Sequence, residues 1–285
     1  MKQLTFSLIF IILISLCTIP SIFPGEDIFQ SGISIIDIGS PDIFLKVEAV
    51  PQTVKSGKTA LLVFEIRNKN NFDLTGVEVT AYDQCIFSGK NSHVIDILRA
   101  NSTLTWSWTW TSSQTEVDKD CTIRFRTTYN ALNSIFQDIV VLYESEYQQR
   151  ELEGTMYNIP IQSSFPVSPL QISLRFSEPQ PFIDDWEYYM YIDYLDIGSG
   201  FVDVKSITLN FPKNIKADTI SCSGYKRDGS KLTLDREIKF INKKGTPTTC
   251  TFTTSASQPL SIETMQMRTE YEYKIDSSIN IKVKK

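Results

Sequence analysis

The chain predicts an all-β protein: two tandem antiparallel β-sandwiches behind an apolar N-terminal helix. Two observations carry this. Apolar residues alternate with polar ones in short runs almost throughout, and no useful window shows an apolar stripe of helical period. Outside the hydrophobic N-terminus, four cysteines fall as two pairs, Cys85 with Cys121 and Cys222 with Cys250, 36 and 28 residues apart. Each pair sits in its own half, at a spacing that suits a staple across a sandwich, not a metal knuckle. Even cysteine numbers behind an export signal imply an oxidising compartment. The bridges are expected within each half, between non-adjacent strands.

The export signal comes first in the chain. Lys2 is the single charged side chain before an apolar run from Leu4 to Phe23. At about 1.5 Å per residue, some ~20 helical residues span a hydrocarbon core of about 30 Å. The stretch from Thr18 to Gly25 offers no small-residue cleavage pattern, which favours an uncleaved anchor over a cleaved signal. Cys17 is read as an apolar member of that segment, because the preceding Leu16 is too bulky for a lipidation box. Lys2 before the run, with Glu26 and Asp27 after it, places the amino end in the cytoplasm and the rest outside. Residues 1–25 are thus signal or membrane anchor, and 26–41 a linker.

The first sandwich, 42–150, opens with Phe44 to Ala49. Runs follow at Thr59–Asn68, Gly76–Asp83, His93–Leu98, Thr103–Thr111, Cys121–Tyr129 and Ile135–Tyr143, split by turn residues such as Ser56-Gly57-Lys58 and Ser88-Gly89-Lys90. The polar stretch Glu144 to Glu153 is the best helix candidate, or else an extension of the last strand. Pro160, Pro166 and Pro169 mark a linker over 151–168. The second sandwich, 169–285, runs through Leu170–Ser177, Trp186–Leu195, Val202–Phe211, Thr219–Ser223, Leu232–Phe240, Thr248–Thr254, Ile262–Tyr273 and Ser278–Val283. The halves echo one another. Arg126-Thr127-Thr128-Tyr129 recurs as Arg268-Thr269-Glu270-Tyr271, and each half has a proline-bearing bend between its first two strands.

Composition excludes several functions. Hydrophobic content of 41% and charged content of 21% are those of a folded protein. A net charge of −5 argues against nucleic acid, whose binders need a basic face. His93 is the one histidine, with no nucleophile-elbow or zincin motif near it, and is read as a polar residue starting a strand. Asp184-Asp185, before a strand bearing Tyr189 and Tyr191, is the most site-like cluster. An acidic pair at a loop edge more often caps a turn than cleaves a glycoside, and no loop has calcium spacing. No catalytic residue, metal or cofactor is expected.

Aromatic residues supply the binding candidates. Trp106, Trp108 and Trp110 share one strand face; the first two are assigned to the core, and Trp110, at the strand end, to the surface. Tyr189 and Tyr191 lie on one face, opposite Trp186, Tyr188 and Met190. Possible binding residues are therefore Trp110, Tyr189, Tyr191, Asp184 and Asp185. Asn101-Ser102-Thr103 is the one N-glycosylation sequon, at a turn, with Asn101 as acceptor candidate.

The segment Val54 to Asn70, a glycine turn followed by a long alternating strand ending in asparagine, and then Gly76-Val77-Glu78-Val79, resembles the CARDB-type and related Ig-like domains of archaeal and bacterial surface proteins. Ile192-Asp193-Tyr194-Leu195-Asp196-Ile197-Gly198-Ser199-Gly200 looks like a second copy of the same corner, with Asp193 and Asp196 where amides are expected. The resemblance implies two tandem Ig-like β-sandwiches and an extracellular placement, and no particular activity. The expected function is non-enzymatic presentation of Ig-like modules for adhesion or protein–protein interaction, with other surface proteins or self-assembly as partners and the membrane reached through the N-terminal segment. The alternatives are a structural subunit of a surface filament or envelope, and a carbohydrate-binding module.

Overall fold

The computed structural model describes residues 38–39 and 43–285. The segment read as an anchor, with Cys17, and most of the 26–41 linker lie outside the described residues. What is described is all-β apart from one short α-helix and two 3-10 turns. The main strands of the first half are β1 (Ile43–Val50), β2 (Thr59–Asn68), β3 (Leu74–Asp83), β4 (Ser92–Leu98), β5 (Thr103–Ser112) and β6 (Lys119–Leu142). After helix α1 (Glu144–Glu153) come β7 (Leu170–Phe176), β8 (Glu187–Asp196), β9 (Phe201–Asn210), β10 (Lys231–Leu234), β11 (Thr248–Thr253) and β12 (Leu260–Lys284).

Three sheets result. A five-stranded sheet is built around β1-β2-β5, a six-stranded sheet around β7-β8-β11, and a ten-stranded sheet around β10-β9-β12-β6-β3-β4. In β6 the odd-numbered residues from Cys121 to Val141 are all buried, while the even ones up to Asp138 are exposed or half-buried. One face of the large sheet is therefore covered along its length, first by the five-stranded sheet and then by the six-stranded one. Phe125 of β6 meets Phe64, Trp108 and Trp110 of the first small sheet, and Phe211 at the end of β9 meets Phe252 of the second. Burying each such ring contributes about 1.5–3 kcal/mol.

The long strands were not expected. The residues around Asn130–Ser134 and Lys274–Ser277 read as turns, yet β6 and β12 run straight through them and pair antiparallel from Lys119↔Val283 to Leu142↔Leu260. The polar residues fit because they fall on alternating faces. Asn133 and Ser277 point into the core, at 2% and 9% exposure, while Asn130 and Asp276 face outward. The 151–168 boundary is thereby bridged, since each half's last strand continues under the small sheet of the other half. The expected strand Leu232–Phe240 is short, closing at Leu234, and Tyr225–Asp228 pairs with it instead. The Glu144–Glu153 stretch is helical and is stopped by Gly154 at φ +67°. Beside it, Tyr147 and Met156 pack on Val140 and Leu142.

The halves repeat one another in register. Thr127 lies opposite Val79, and Thr269 opposite Ile207; Arg126 lies opposite Thr80, and Arg268 opposite Thr208. The four-residue echo in the sequence thus occupies equivalent places on two strands. Leu62 sits between Ala49 and Trp108, and its counterpart Met190 between Phe176 and Cys250. Short strands at Thr53–Lys55 and Phe182–Ile183 run parallel to β12 and β6 respectively. The two copies are related by a pseudo-twofold axis through the middle of the β6–β12 ladder, near Asn130↔Glu272.

Both disulfides form as paired in the sequence, within halves. Cys85–Cys121 ties the turn just after β3 to β6, the strand that β3 already pairs with at Asp83↔Arg124, so it does not join the non-adjacent strands expected. Cys222–Cys250 also departs from expectation, because it joins directly paired neighbours of one sheet (Ser221–Cys222 and β11), not strands across a sandwich. The short crossing after the Ala217–Thr219 turn adds an edge strand beside β11, which brings the two cysteines side by side.

Candidate functional site

The sequence-derived binding residues are mostly used internally. Trp110 is fully buried, against the expectation of exposure. Its ring packs on Phe87 and Phe125, and its indole N–H donates to the Lys90 carbonyl at 2.7 Å. β5 continues one register further than the strand-end argument assumed, to Ser112, so its last tryptophan still lies under the large sheet. Trp106 is the half-buried one, stacked between Phe64 and His93 at 5.0 and 4.5 Å. Burial and then the charge of Lys90 pull the His93 imidazole below its ordinary range, so it is a neutral stacking ring at pH 7.

The carboxylates are engaged as well. Asp184 accepts from the Ala256 amide at 2.7 Å, and Asp185, at φ +63°, pairs with Lys216 at 2.6 Å. They close the corner before β8. Tyr191 carries the Arg175 guanidinium over its ring at 5.6 Å, and Tyr189 is exposed on the same face. Asn101 is exposed at φ +53° in the β4–β5 turn, where a glycan has room. Among the described residues no group of three metal-ligating side chains gathers.

A different place has the shape of a site. Where β6 passes from one small sheet to the other, Leu132, Asn133 and Ser134 form the floor of a cleft of about 600 Å³. One wall is the corner after β2. There the Asn68 side chain accepts from the Asn70 amide at 2.9 Å and donates to the Phe72 carbonyl at 2.8 Å, folding Lys69 to Phe72 over the β6 edge. The sequon turn braces this corner from behind, through the Asn101 amide bonded to the Asn70 carbonyl at 3.0 Å. The other wall is Ser164 to Val167, placed by the Ser163–Ser164 pairing with Phe136 and Gln137. A smaller pocket of about 180 Å³ continues from it past Ile135 toward Ile197.

The electrostatics of the cleft are simple. Among the described residues no carboxylate lines it, and the one cation there, Lys69, lies over the Phe44 ring at 5.4 Å. Its walls expose Phe165 and Val167 at 42% and 74%. Sequence reasoning missed it because its residues come from three distant segments and carry no motif; the turn-like reading of Asn133-Ser134 hid the floor.

The twin corner of the second half is closed. Asp196, in the place of Asn68, accepts from the Gly198 amide at 3.0 Å. The Tyr273 hydroxyl accepts from the Gly200 amide at 2.7 Å and donates to Asp196 at 3.3 Å. A Cβ at Gly198 would collide with that hydroxyl, so only glycine admits the ring. The residue equivalent to Tyr273 in the first half is Ala131. Burial raises the Asp196 carboxyl above its ordinary pKa, with the Gly198 amide, Lys243 and Tyr273 pulling the other way.

No family model and no curated protein matches the chain. Among solved structures it is similar to the secreted serine protease VesC from Vibrio cholerae, at 10% identity, 88% of this chain, 51% of that chain and a TM-score of 0.21. Red sea bream transglutaminase gives 7% identity, 89%, 31% and 0.20. A chain in the atomic structure of Sulfolobus Turreted Icosahedral Virus gives 10% identity, 87%, 61% and 0.21. The chain spans less than two thirds of each of these, and likenesses of this strength carry no argument about its fold or activity.

Proposed function

We propose that this is a non-enzymatic, extracytoplasmic surface protein, held to the membrane by its N-terminal segment, that presents a rigid pair of Ig-like sandwiches for interaction with other surface proteins. The observation that carries the reading is the 24-residue ladder between β6 and β12. Two modules joined by a flexible linker bend at the linker; two modules that exchange their last strands under each other's sheets hold one fixed geometry. A body of this kind suits display, and two disulfides suit a compartment that is oxidising. The side chains that carry acid–base chemistry in enzymes are here committed to turns, stacking and ion pairs: Asp184 to Ala256, Asp185 to Lys216, His93 to Trp106.

The outward face of the large sheet supports the same reading. It carries a bidentate Arg126–Asp276 pair at 2.7 and 2.9 Å, Lys274–Glu272 at 2.6 Å and Thr122–Asn280 at 2.8 Å, beside the exposed side chains of Leu132 and Phe136. In-cell crosslinking with mass spectrometry on the membrane fraction tests the proposal. Residues 1–25 should be recovered in the mature chain, with crosslinks to other surface proteins. Recovery in the cytosol with free thiols would sink it.

A further inference from the structure

We infer that the cleft at the junction of the two halves binds a neutral, hydroxyl-bearing ligand of the saccharide class, with the side-chain oxygen of Asn133 as its central acceptor. Asn133 is 2% exposed, and its amide nitrogen donates to the Ser168 hydroxyl at 2.7 Å. Ser168 spends its one proton on the Leu170 carbonyl at 2.6 Å, so it can only accept from Asn133. That settles which end of the amide is which, and it leaves the Asn133 oxygen buried and without a partner among the described residues, on a residue that lines the cleft. A buried acceptor left unmatched costs about 1–3 kcal/mol; other buried polar side chains are left so in the core, such as Thr127 and Asn214, and Asn133 differs from them in lining a cleft.

The orphan acceptor defines the ligand's chemistry. What binds it must donate, which excludes an oxyanion. A hard cation would want carboxylate oxygens, and the described residues lining the cleft supply none. The remaining lining alternates polar and apolar groups: Ser134, Ser164 and Asn71 against Phe72, Phe165 and Val167. A sugar ring has the same division, with hydroxyls at its edge and C–H groups on its faces, and the cleft volume lies in the range of small-ligand sites. An extended peptide strand fits less well. β6 is paired with β3 up to Asn130 and with Ser164 from Phe136 onward, which leaves only a short unpaired stretch of its edge between them.

The test is a printed array of neutral oligosaccharides, with apolar peptides as a second set of probes, read with the purified full-length protein. Asn71→Trp plugs the cleft from an exposed rim position and Phe165→Ala removes a wall; melting temperatures are measured for both. The expected result is saturable binding to at least one neutral glycan, weakened about tenfold or more in each variant that melts like the wild type. Absence of glycan binding, binding unchanged in the correctly folded variants, or binding confined to the peptide probes overturns the inference. Where the protein resides is decided separately by the crosslinking experiment, so failure of one reading leaves the other measurable.

Discussion

The two halves share a frame and solve the same packing problem differently. At three equivalent positions facing the large sheet the first half carries Trp106, Trp108 and Trp110, and the second carries Thr248, Cys250 and Phe252. The first fills its interior with stacked rings, Trp108 on Trp110 at 6.0 Å and Phe64 against both Trp106 and Trp108. The second replaces the middle ring with half of a disulfide and gathers its aromatics, Phe176, Phe182, Tyr188 and Phe252, at one end. The corners differ in the same spirit: Tyr273 closes one, and the other opens on a cleft. Duplicated topology thus fixes strand order and register, while the choice of side chain at a few matched positions decides which copy keeps an open surface.

Truncation of β12 removes what the halves exchange. Ending the chain after Tyr273 deletes the part of β12 that lies under the first small sheet, with buried Ile275, Ile279, Ile281 and Val283. At about 1.5–3 kcal/mol each, the loss of about 6–12 kcal/mol matches the whole stability of an ordinary domain. Hydrogen exchange should show protection lost in β1, β2 and β5 although none of them is altered; retained protection there would mean that the first half stands alone. Next in size, Trp110→Ala and Phe252→Ala should each cost about 3–5 kcal/mol in denaturant titration, with near-equal values because the two positions are equivalent. A cost confined to one of them would show that the frames are not energetically matched.

Removing either disulfide by paired serine substitution should cost about 3–4 kcal/mol by loop-closure entropy, slightly more for Cys85–Cys121, whose 36-residue separation exceeds the 28 of Cys222–Cys250. Melting temperatures of the two double variants test the ordering. The smallest effect concerns the twin corners. The Asp196 carboxyl has a raised pKa in the fold, so the folded state holds its proton more tightly than the unfolded one; stability is present below the ordinary carboxylate pKa and is lost as pH rises through the raised value. Asp196→Asn, which copies Asn68, should therefore gain about 1 kcal/mol at neutral pH and nothing in acid. An equal gain at both pH values would assign the effect to packing.

Much of this architecture was legible in the residues. The period-two alternation located most main strands, the cysteine pairs were matched correctly, and the Arg-Thr-x-Tyr echo marked strands that prove equivalent. The corner at Asp196 was recognisable as the partner of Asn68 despite the changed residue, because a short side-chain oxygen accepting the amide two residues on serves either way. The misses have a common cause. Asn133 and Ser277 look like turn residues when read locally, and each owes its place to a strand arriving from more than a hundred residues away; Trp110 looks like a strand end and is covered by Phe87 and Phe125 from other strands.

Local alternation and repeated residue patterns were enough to place most strands, to pair the cysteines and to relate the two halves. The folded molecule was needed to show that β6 and β12 are continuous and shared, that Trp110 is covered, and that Asn133, beside a cleft, keeps an unmatched oxygen. Those outcomes depend on which distant segment lies across a strand, and a two-residue period fixes which face a side chain takes without saying what will cover it.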